Sequence, residues 1–390
     1  MPGLWTYPWN LFREGLDGAF ADLADRNVDT VACAAHYHSV RSLQPRFPES
    51  LFESYAGGCY FDPDPARFSE TPIDPVPNRI EGVRDPLAEV VDAADGHGID
   101  VAAWTVCLHN SRLGREHPEF LAEDAFGTGH EHAFCPSNEA VGRYFAAVAE
   151  AAAARGASEV QLESVGFPSV FHGHDTTFAH DKRQVLTTPT EEWLFSQCFC
   201  AACRDRAGAH EVDLERARSV VRGLVRDSFD DPHSSPPSLD ALVREHDVLG
   251  RLFDFRASVV TDFVSTVAAG ADDAGVNCYL MDGFGPDPGA GWPAGVRLSA
   301  LEEHVDRVTA LCYVSDPRTA ADRVRGIRRA VDVPVDVGLT LDPSVVERES
   351  DLHALVDAVT TWATGRVQVY HHGLATERQL DWVERAFAAG

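Results

Sequence analysis

The chain of 390 residues almost lacks lysine. Lys182 is the only one among its 33 basic residues, so arginine supplies the rest, and 61 acidic residues bring the formal net charge to −28. A surface this acidic repels phosphate groups, which argues against nucleic acid or an anionic membrane as a partner. A GC-rich genome would account for the arginine but not for the acids. We therefore expect a protein adapted to concentrated salt.

Long hydrophobic runs are also missing. No stretch of 18 apolar residues occurs, and no apolar run of the signal-peptide type precedes Trp5. These absences predict a soluble protein of the cytoplasm. Its nine cysteines are an odd number, which disfavours a framework of disulfide bonds and leaves metal binding or core packing. The sequence leaves the oligomeric state open, homo-oligomers included.

What the sequence does contain is a repeated alternation of short β-branched runs with amphipathic helical stretches, which is typical of a parallel α/β fold. Eight such strands, each followed by a helix, predict one (β/α)8 TIM barrel over residues 1–390. A doubly wound sheet would need a glycine-rich phosphate-binding fingerprint, which is absent. The predicted strands cover residues 4–9, 28–38, 100–109, 158–164, 275–283, 307–316, 333–342 and 365–373.

Three connections are much longer than ordinary turns. Residues 39–83, 110–137 and 165–238 follow predicted strands two, three and four. Connections of this kind lie at the carboxyl ends of the barrel strands, where barrel enzymes carry their active sites. The sequence therefore predicts a functional site at this end, enlarged on the side of strands two to five.

A cluster of cysteines lies in the third long connection. The segment CFCAACR places Cys198, Cys200 and Cys203 within six residues, and a tetrahedral zinc site needs a fourth ligand. Cys135 in the preceding connection is the best candidate, with His132 in reserve. Three reduced thiols without a metal are the alternative, but exposed thiols this close together would be prone to oxidation. We expect a structural Zn²⁺ that is bound by these cysteines and holds together a loop extension of the barrel formed by about residues 110–240.

Three features follow one another in residues 130–205: the turn Cys135-Pro136-Ser137-Asn138 before a helix, an acid ending strand four, and the CxCxxC motif. In these features the segment resembles glycoside hydrolase family 42, the barrel β-galactosidases that hold a structural zinc with four cysteines. The resemblance implies that these four cysteines bind zinc and that Glu163 is the catalytic acid/base. The family has asparagine at Leu162 and a glutamate nucleophile on strand seven, where this chain offers Asp336. The segments TYPWNLFREG, AAHYHS and YFDPDPARF also resemble uncharacterised glycosidase-like barrel proteins.

Alternation along the predicted strands indicates which side chains face the barrel interior. Glu163 ends strand four, Asp336 lies on strand seven, and Asp282 closes strand five. Glycoside hydrolysis uses two carboxyl groups, so we predict Glu163 with Asp336, or alternatively with Asp282, as the catalytic residues. For Trp5 and Tyr7, core packing at the barrel floor is an equal alternative to sugar binding. The predicted carbohydrate-binding side chains are Trp5, Tyr7, His36, His38, Trp104, His109, Tyr313, Tyr370 and His372.

Two other functions stay open at this point. His36 and His38 form a His-x-His pair, which holds a catalytic metal in amidohydrolase-type barrels, and Glu163 and Asp282 could supply further ligands. A barrel that has lost one carboxylate would instead bind carbohydrate without cleaving it. The sequence identifies neither the sugar nor whether its configuration is retained or inverted.

Overall fold

A closed parallel barrel forms the centre of the computed structural model, which describes residues 2–171, 184–185, 188–230, 236–280 and 290–388. Its strands are β1 (Pro2–Thr6), β2 (Thr30–Tyr37), β6 (Asp100–Val106), β9 (Glu159–Glu163), β10 (Gly275–Leu280), β11 (Arg307–Leu311), β12 (Val335–Thr340) and β13 (Val367–Tyr370). Neighbouring strands pair in parallel, and β1 pairs with both β2 and β13, which closes the sheet. The predicted (β/α)8 barrel is confirmed.

At least one helix follows each barrel strand, and one of them covers the outer face of the barrel there. In chain order these helices are α2 (Leu16–Asp25), α3 (Pro86–Asp95), α5 (Glu139–Ala153), α10 (Asp247–Gly270), α11 (Leu298–Leu301), α12 (Pro317–Ala330), α13 (Glu349–Thr360) and α14 (Glu377–Ala388). Their buried faces are mostly alanine, valine, leucine and phenylalanine, which pack on the outward side chains of the strands. Within the described ranges, none of the helices has the length and apolarity to cross a membrane.

Proline and capping residues fix several of these boundaries. Asp85 accepts a hydrogen bond from the Ala88 backbone N–H at the start of α3, and Asp316 does the same for α12. Pro8 occupies the first turn of an additional helix, α1 (Pro8–Glu14), because proline at this position costs no helical hydrogen bond. Strand β1 therefore ends at Thr6, three residues before the predicted end.

The three long connections carry secondary structure of their own. The first holds the antiparallel hairpin of β3 (Val40–Leu43) and β4 (Phe52–Tyr55), together with β5 (Gly58–Cys59), which pairs with the end of β2. The second holds α4 (Ser111–Glu116) and the hairpin of β7 (Leu121–Glu123) and β8 (Gly129–Phe134). The third holds α6 (Pro189–Phe195), α7 (Ala201–Ala207), α8 (Leu214–Asp230) and, just beyond the predicted loop, α9 (Leu239–Glu245).

The barrel interior has an aromatic core of its own. Ala32, Ala34 and Ala102 face inward on β2 and β6, and their small side chains leave space for the indole rings of Trp5 and Trp104. A barrel interior is filled by layers of side chains, so small residues on one side permit large ones on the other. The sequence thus places rings at the centre of the barrel, directly below the carboxyl ends of the strands.

Candidate active site

Glu163 is the last residue of β9 and lies at the carboxyl end of the barrel. Strand β6 runs beside it, and the Trp104 Nε1–H donates a 2.6 Å hydrogen bond to Glu163 Oε2. The side chain is partly buried, and burial raises its pKa to about 7, although the Trp104 hydrogen bond acts in the opposite direction. Near neutral pH a substantial fraction of Glu163 therefore carries a proton that it can donate.

Three phenol groups meet beside this carboxyl group. The Tyr7 hydroxyl lies 3.3 Å from the Tyr37 hydroxyl and 3.1 Å from that of Tyr370. The Tyr7 ring also stacks on Trp104, with 5.8 Å between ring centroids. Burial raises the pKa of Tyr7 to about 12, so the phenol stays protonated and able to donate. Tyr7, Trp104 and Tyr370 thus lie together beside Glu163; Tyr370 is partly exposed, whereas Tyr7 and Trp104 are each 2% exposed and pack in the same inner aromatic cluster as Trp5.

The remaining predicted aromatic residues divide between the interior and the rim. Trp5 is 1% exposed and donates a 2.6 Å hydrogen bond to the Tyr279 hydroxyl, so it packs inside the barrel rather than lining the mouth. Core packing, the alternative weighed for Trp5, is what the structure shows. Tyr313 follows the end of β11, is partly exposed, and its ring centroid lies 6.2 Å from that of Tyr370. Tyr313 therefore belongs to the mouth.

His36 lies outside the barrel, which corrects its predicted role in substrate binding. Its ring contacts Tyr144 of α5, and its Nδ1 lies 2.8 Å from the Val106 carbonyl oxygen. The pairing of β2 with β6 shifts between Ala34 and His36, so the alternation of side chains breaks there. Tyr37, which the sequence analysis missed, faces inward instead. A pattern of alternating residues contains no signal for this irregularity.

The His-x-His pair therefore does not converge on one metal position. His38 lies on the mouth side, where its ring stacks on His109 with 4.8 Å between centroids. His36 is hydrogen-bonded on the opposite side of the sheet. In the part of the chain that the structure describes, neither histidine belongs to a group able to hold a metal ion. The geometry gives no support to the amidohydrolase-type alternative.

His372 is also displaced from its predicted position in the mouth. It is 1% exposed, and its ring nitrogens lie 3.2 Å from Thr6 Oγ1 and 3.2 Å from Arg46 Nη2. Strand β13 ends at Tyr370, so alternation no longer applies two residues later. His371 takes the place at the mouth, with its ring centroid 4.1 Å from that of Tyr7.

Asp336 lies at the opposite end of the barrel from Glu163. It is the second residue of β12, fully buried, and it accepts hydrogen bonds from Arg307 Nη1 and Asn277 Nδ2, both at 3.1 Å. Asn277 also donates to Glu159, which stands four residues before Glu163 on β9. Four strand residues span about 13 Å, whereas catalytic carboxyl groups stand about 5–9.5 Å apart. The prediction of Asp336 as a catalytic carboxylate is therefore wrong. Alternation shows which face of a strand a side chain lies on, but not how far along the barrel axis it lies.

A cavity of about 280 Å³ opens next to Glu163. We call it the β9 cavity; its walls include Ser164, Phe167, Trp193, Tyr279 and His109. It is mostly apolar with a few polar groups, as is usual for small-molecule sites. Asp282, the other predicted carboxylate, lies outside the described residues.

Four cysteines from two connections form a compact buried cluster. The Sγ atoms of Cys135, Cys198, Cys200 and Cys203 all lie within 4.8 Å of one another, and none forms a disulfide bond. Tetrahedral zinc with Zn–S bonds of about 2.3 Å needs sulfur atoms about 3.8 Å apart. Cys135 Sγ lies 3.5 Å from Cys203 Sγ and 3.6 Å from Cys198 Sγ, so the donors fit a metal ion of this kind. His132, the reserve ligand, is outside the cluster.

Comparison with solved structures identifies barrel proteins of similar fold. They include alpha-L-fucosidase isoenzyme 2 from Paenibacillus thiaminolyticus (TM-score 0.55, 11% identity, covering 100% of this chain and 49% of that one). The PgaB (BpsB) glycoside hydrolase domain from Bordetella bronchiseptica gives a TM-score of 0.59 at 12% identity, covering 99% of this chain and 98% of that one. The beta-galactosidase from Marinomonas ef1 gives 0.54 at 13% identity, covering 95% and 54%.

The chain spans about half the length of the fucosidase and the galactosidase, and nearly all of the PgaB domain. No protein-family profile matches the chain, and no curated protein sequence is detectably similar to it. The TM-scores of 0.54–0.59 show a shared fold, a closed eight-stranded barrel that glycoside hydrolases use. At identities of 11–13%, the comparison shows the fold alone. Activity has to be argued from the site itself.

Proposed function

We propose that this protein is a glycoside hydrolase in which Glu163 is the general acid/base. The observation that carries the proposal is a carboxyl group at a barrel strand end, with a pKa near 7 and a hydrogen bond from an indole ring. A catalytic acid works best when its pKa lies near the working pH. The names of the three structural neighbours, a fucosidase, a galactosidase and a glycoside hydrolase domain, support the same class.

In the proposed reaction, protonated Glu163 gives its proton to the glycosidic oxygen as the bond from that oxygen to the anomeric carbon breaks. The carboxylate that forms accepts the hydrogen bond from Trp104, which stabilises its charge. In a retaining course, the second carboxylate bonds to the anomeric carbon as the first bond breaks, and Glu163 then takes a proton from the water molecule that displaces this carboxylate. The second carboxylate is proposed to be Asp282, which comes two positions after Leu280 in the sequence; Leu280 is the last residue of β10, and β10 pairs with β9.

The aromatic side chains at the mouth are proposed to hold the sugar. Tyr313 and Tyr370 are partly exposed and offer flat apolar faces to the C–H bonds of a sugar ring, and the Tyr370 hydroxyl offers a hydrogen-bond partner. The net charge of −28 favours an uncharged substrate over a phosphorylated one.

A structural zinc ion bound by the four cysteines completes the proposal. The Glu123 backbone N–H lies 3.4 Å from Cys198 Sγ and donates to it, as backbone amides do to metal-bound thiolates. Arg256 is 1% exposed beside the cluster; burial lowers its pKa to about 10, which leaves it cationic at neutral pH. Its charge offsets part of the negative charge of a Zn(Cys)4 centre. Zinc would hold the second and third long connections together without taking part in the reaction.

Replacing Glu163 by glutamine tests the catalytic assignment. Wild type and Glu163→Gln are assayed on aryl glycosides of galactose, glucose, fucose, mannose, xylose and N-acetylglucosamine in both anomeric forms. On the accepted glycoside, kcat/KM should fall about 100-fold or more. Glu139→Gln, an exposed substitution on the outer helix α5, is the matched control and should keep full activity.

Azide provides the second readout. In a retaining enzyme it replaces the base-activated water, so it should restore turnover of Glu163→Gln and yield a glycosyl azide. An inverting enzyme would give no such product, and the anomer released by wild type distinguishes the two courses. Undiminished turnover by Glu163→Gln would refute the assignment of Glu163.

A further inference from the structure

A second cavity lies at the barrel mouth, across from the β9 cavity. It has a volume of about 270 Å³ and opens at the ends of β12 and β13, so we call it the β12–β13 cavity. Tyr370 lines it, and the Tyr370 ring centroid is 6.0 Å from that of Trp104, the residue that hydrogen-bonds Glu163. The rings of Tyr370 and Trp104 therefore lie between this cavity and the Glu163 carboxyl group.

The wall of this cavity contains a buried hydrogen-bond donor without an acceptor among the described residues. His371 is 2% exposed, and its Nδ1 accepts a 3.1 Å hydrogen bond from the Gly373 backbone N–H. In the neutral imidazole the proton must then lie on Nε2. That Nε2–H has no partner in the part of the chain that the structure describes. Buried donors are nearly always paired, and His371 is among the residues that line the cavity, so a ligand oxygen that reaches this nitrogen would satisfy it.

The other walls fit an uncharged sugar unit. Leu43, Leu341 and Pro343 give apolar surface that suits the C–H face of a pyranose ring. Among the described residues of the wall Asp342 is the one carboxylate; its Oδ1 already accepts from Ser344, which leaves Oδ2 to accept from sugar hydroxyls. A negatively charged sugar would be repelled by this carboxylate and by the overall charge of the protein.

We propose that the β12–β13 cavity is a second sugar-binding subsite, in which His371 donates to a hydroxyl oxygen, and that the substrate is a neutral oligosaccharide spanning both cavities. This inference rests on the proposed function, since it names the substrate class of the same site. The proposed substrate is therefore a chain of several sugar units rather than a simple monosaccharide glycoside.

The test measures binding rather than turnover. Calorimetry uses full-length Glu163→Gln with disaccharides and tetrasaccharides of β-1,4-linked glucose, galactose, mannose, xylose and N-acetylglucosamine, and with tetragalacturonate as the charged comparison. At least one neutral tetrasaccharide should bind about tenfold more tightly than its disaccharide, and tetragalacturonate should not bind.

Two exposed leucines of the first long connection give matched variants. Leu43 lines the cavity and is 50% exposed, whereas Leu51 does not line it and is 42% exposed. Added to Glu163→Gln, Leu43→Asp should weaken tetrasaccharide binding about tenfold relative to Leu51→Asp. His371→Leu, which removes the N–H donor, should have a similar effect. Because Leu43 is on the surface, its variant is informative even if His371→Leu fails to fold.

The two proposals fail in different ways. Equal affinities for disaccharide and tetrasaccharide, equal effects of Leu43→Asp and Leu51→Asp, or tight binding of tetragalacturonate would each overturn the subsite while leaving Glu163 untouched. Conversely, undiminished turnover by Glu163→Gln together with a clear preference for tetrasaccharides would overturn the catalytic assignment and keep the subsite.

Discussion

At the scale of single residues, the pKa of Glu163 is set by two opposing effects. Burial favours the neutral carboxylic acid, and the Trp104 N–H favours the carboxylate. Burial is the larger effect, so the pKa is raised to about 7. The indole N–H therefore tunes the acid.

Replacing Trp104 by phenylalanine should separate these effects. The ring face stays but the N–H donor is lost, so the pKa of Glu163 should rise further. A hydrogen bond to a charged group is worth about 1.5–3 kcal/mol, so we expect the alkaline limb of the kcat/KM profile to move up by roughly one pH unit. Trp382→Phe on α14 is the control, and its profile should match wild type. A limb that stays in place or moves to lower pH would contradict this account.

Asp336 shows the limit of residue patterns. Its place on an inward face was predictable, but its partners Arg307 and Arg366 come from the starts of other strands, and only the folded barrel brings them together. The backbone N–H of Arg366 also donates to Asp336 at 2.7 Å. A carboxylate held in this way stabilises the barrel floor and is too far from the mouth to react.

Asp336→Asn should accordingly lower stability and spare catalysis. It removes one of the two buried carboxylates that pair with Arg307 and Arg366, while Glu159 remains as the other; breaking a buried ion pair costs up to about 3–5 kcal/mol. Urea unfolding should show a loss of that order, with kcat/KM per folded molecule within about twofold of wild type. Asp332→Asn, exposed at the loop before β12, is the control and should change neither. A large loss of turnover in folded Asp336→Asn would return Asp336 to the catalytic residues.

At the scale of secondary-structure elements, strands and helices were more predictable than their ends. Periodicity predicted all eight barrel strands, and with them the inward positions of Trp104 and Glu163. It failed at His36 and His372, where a shift in strand pairing and the end of β13 interrupt the alternation. Both failures lie at strand ends, because there the connections rather than the barrel decide the backbone path. The cysteine cluster was predictable because ligand spacing does not depend on such boundaries.

The element-scale prediction concerns the metal. Reduced wild-type protein should contain about one zinc per chain, and Cys200→Ser should retain less than half of that, because zinc binding is linked to the folding of its ligand loops. In the same variant, the connections that carry α4 and α6–α8 should be cleaved more readily in limited proteolysis. Cys312→Ala, buried far from the cluster in sequence, is the control and should keep its zinc. Wild-type protein with less than half an equivalent of zinc would refute the site.

At the scale of the whole molecule, the barrel carries a charge that opposes its compactness. Its arginines form many ion pairs, such as those of Arg26 with Asp22 and Asp381, but 61 acidic residues against 33 basic ones leave a net charge of −28. Like charges on one surface destabilise the folded state through mutual repulsion. The fold is therefore expected to depend on dissolved salt, which shortens the range of that repulsion.

Urea unfolding at rising KCl concentration tests this dependence. The Debye length falls from about 10 Å at 0.1 M to about 3 Å at 1 M salt, so the urea midpoint should rise mainly within that interval. Sucrose, which favours compact states without screening charge, is the control and should not reproduce the same curve. A midpoint independent of KCl would show that the acidic surface does not limit stability. A rise that continues unchanged well above 1 M would indicate exclusion of salt from the protein surface rather than screening.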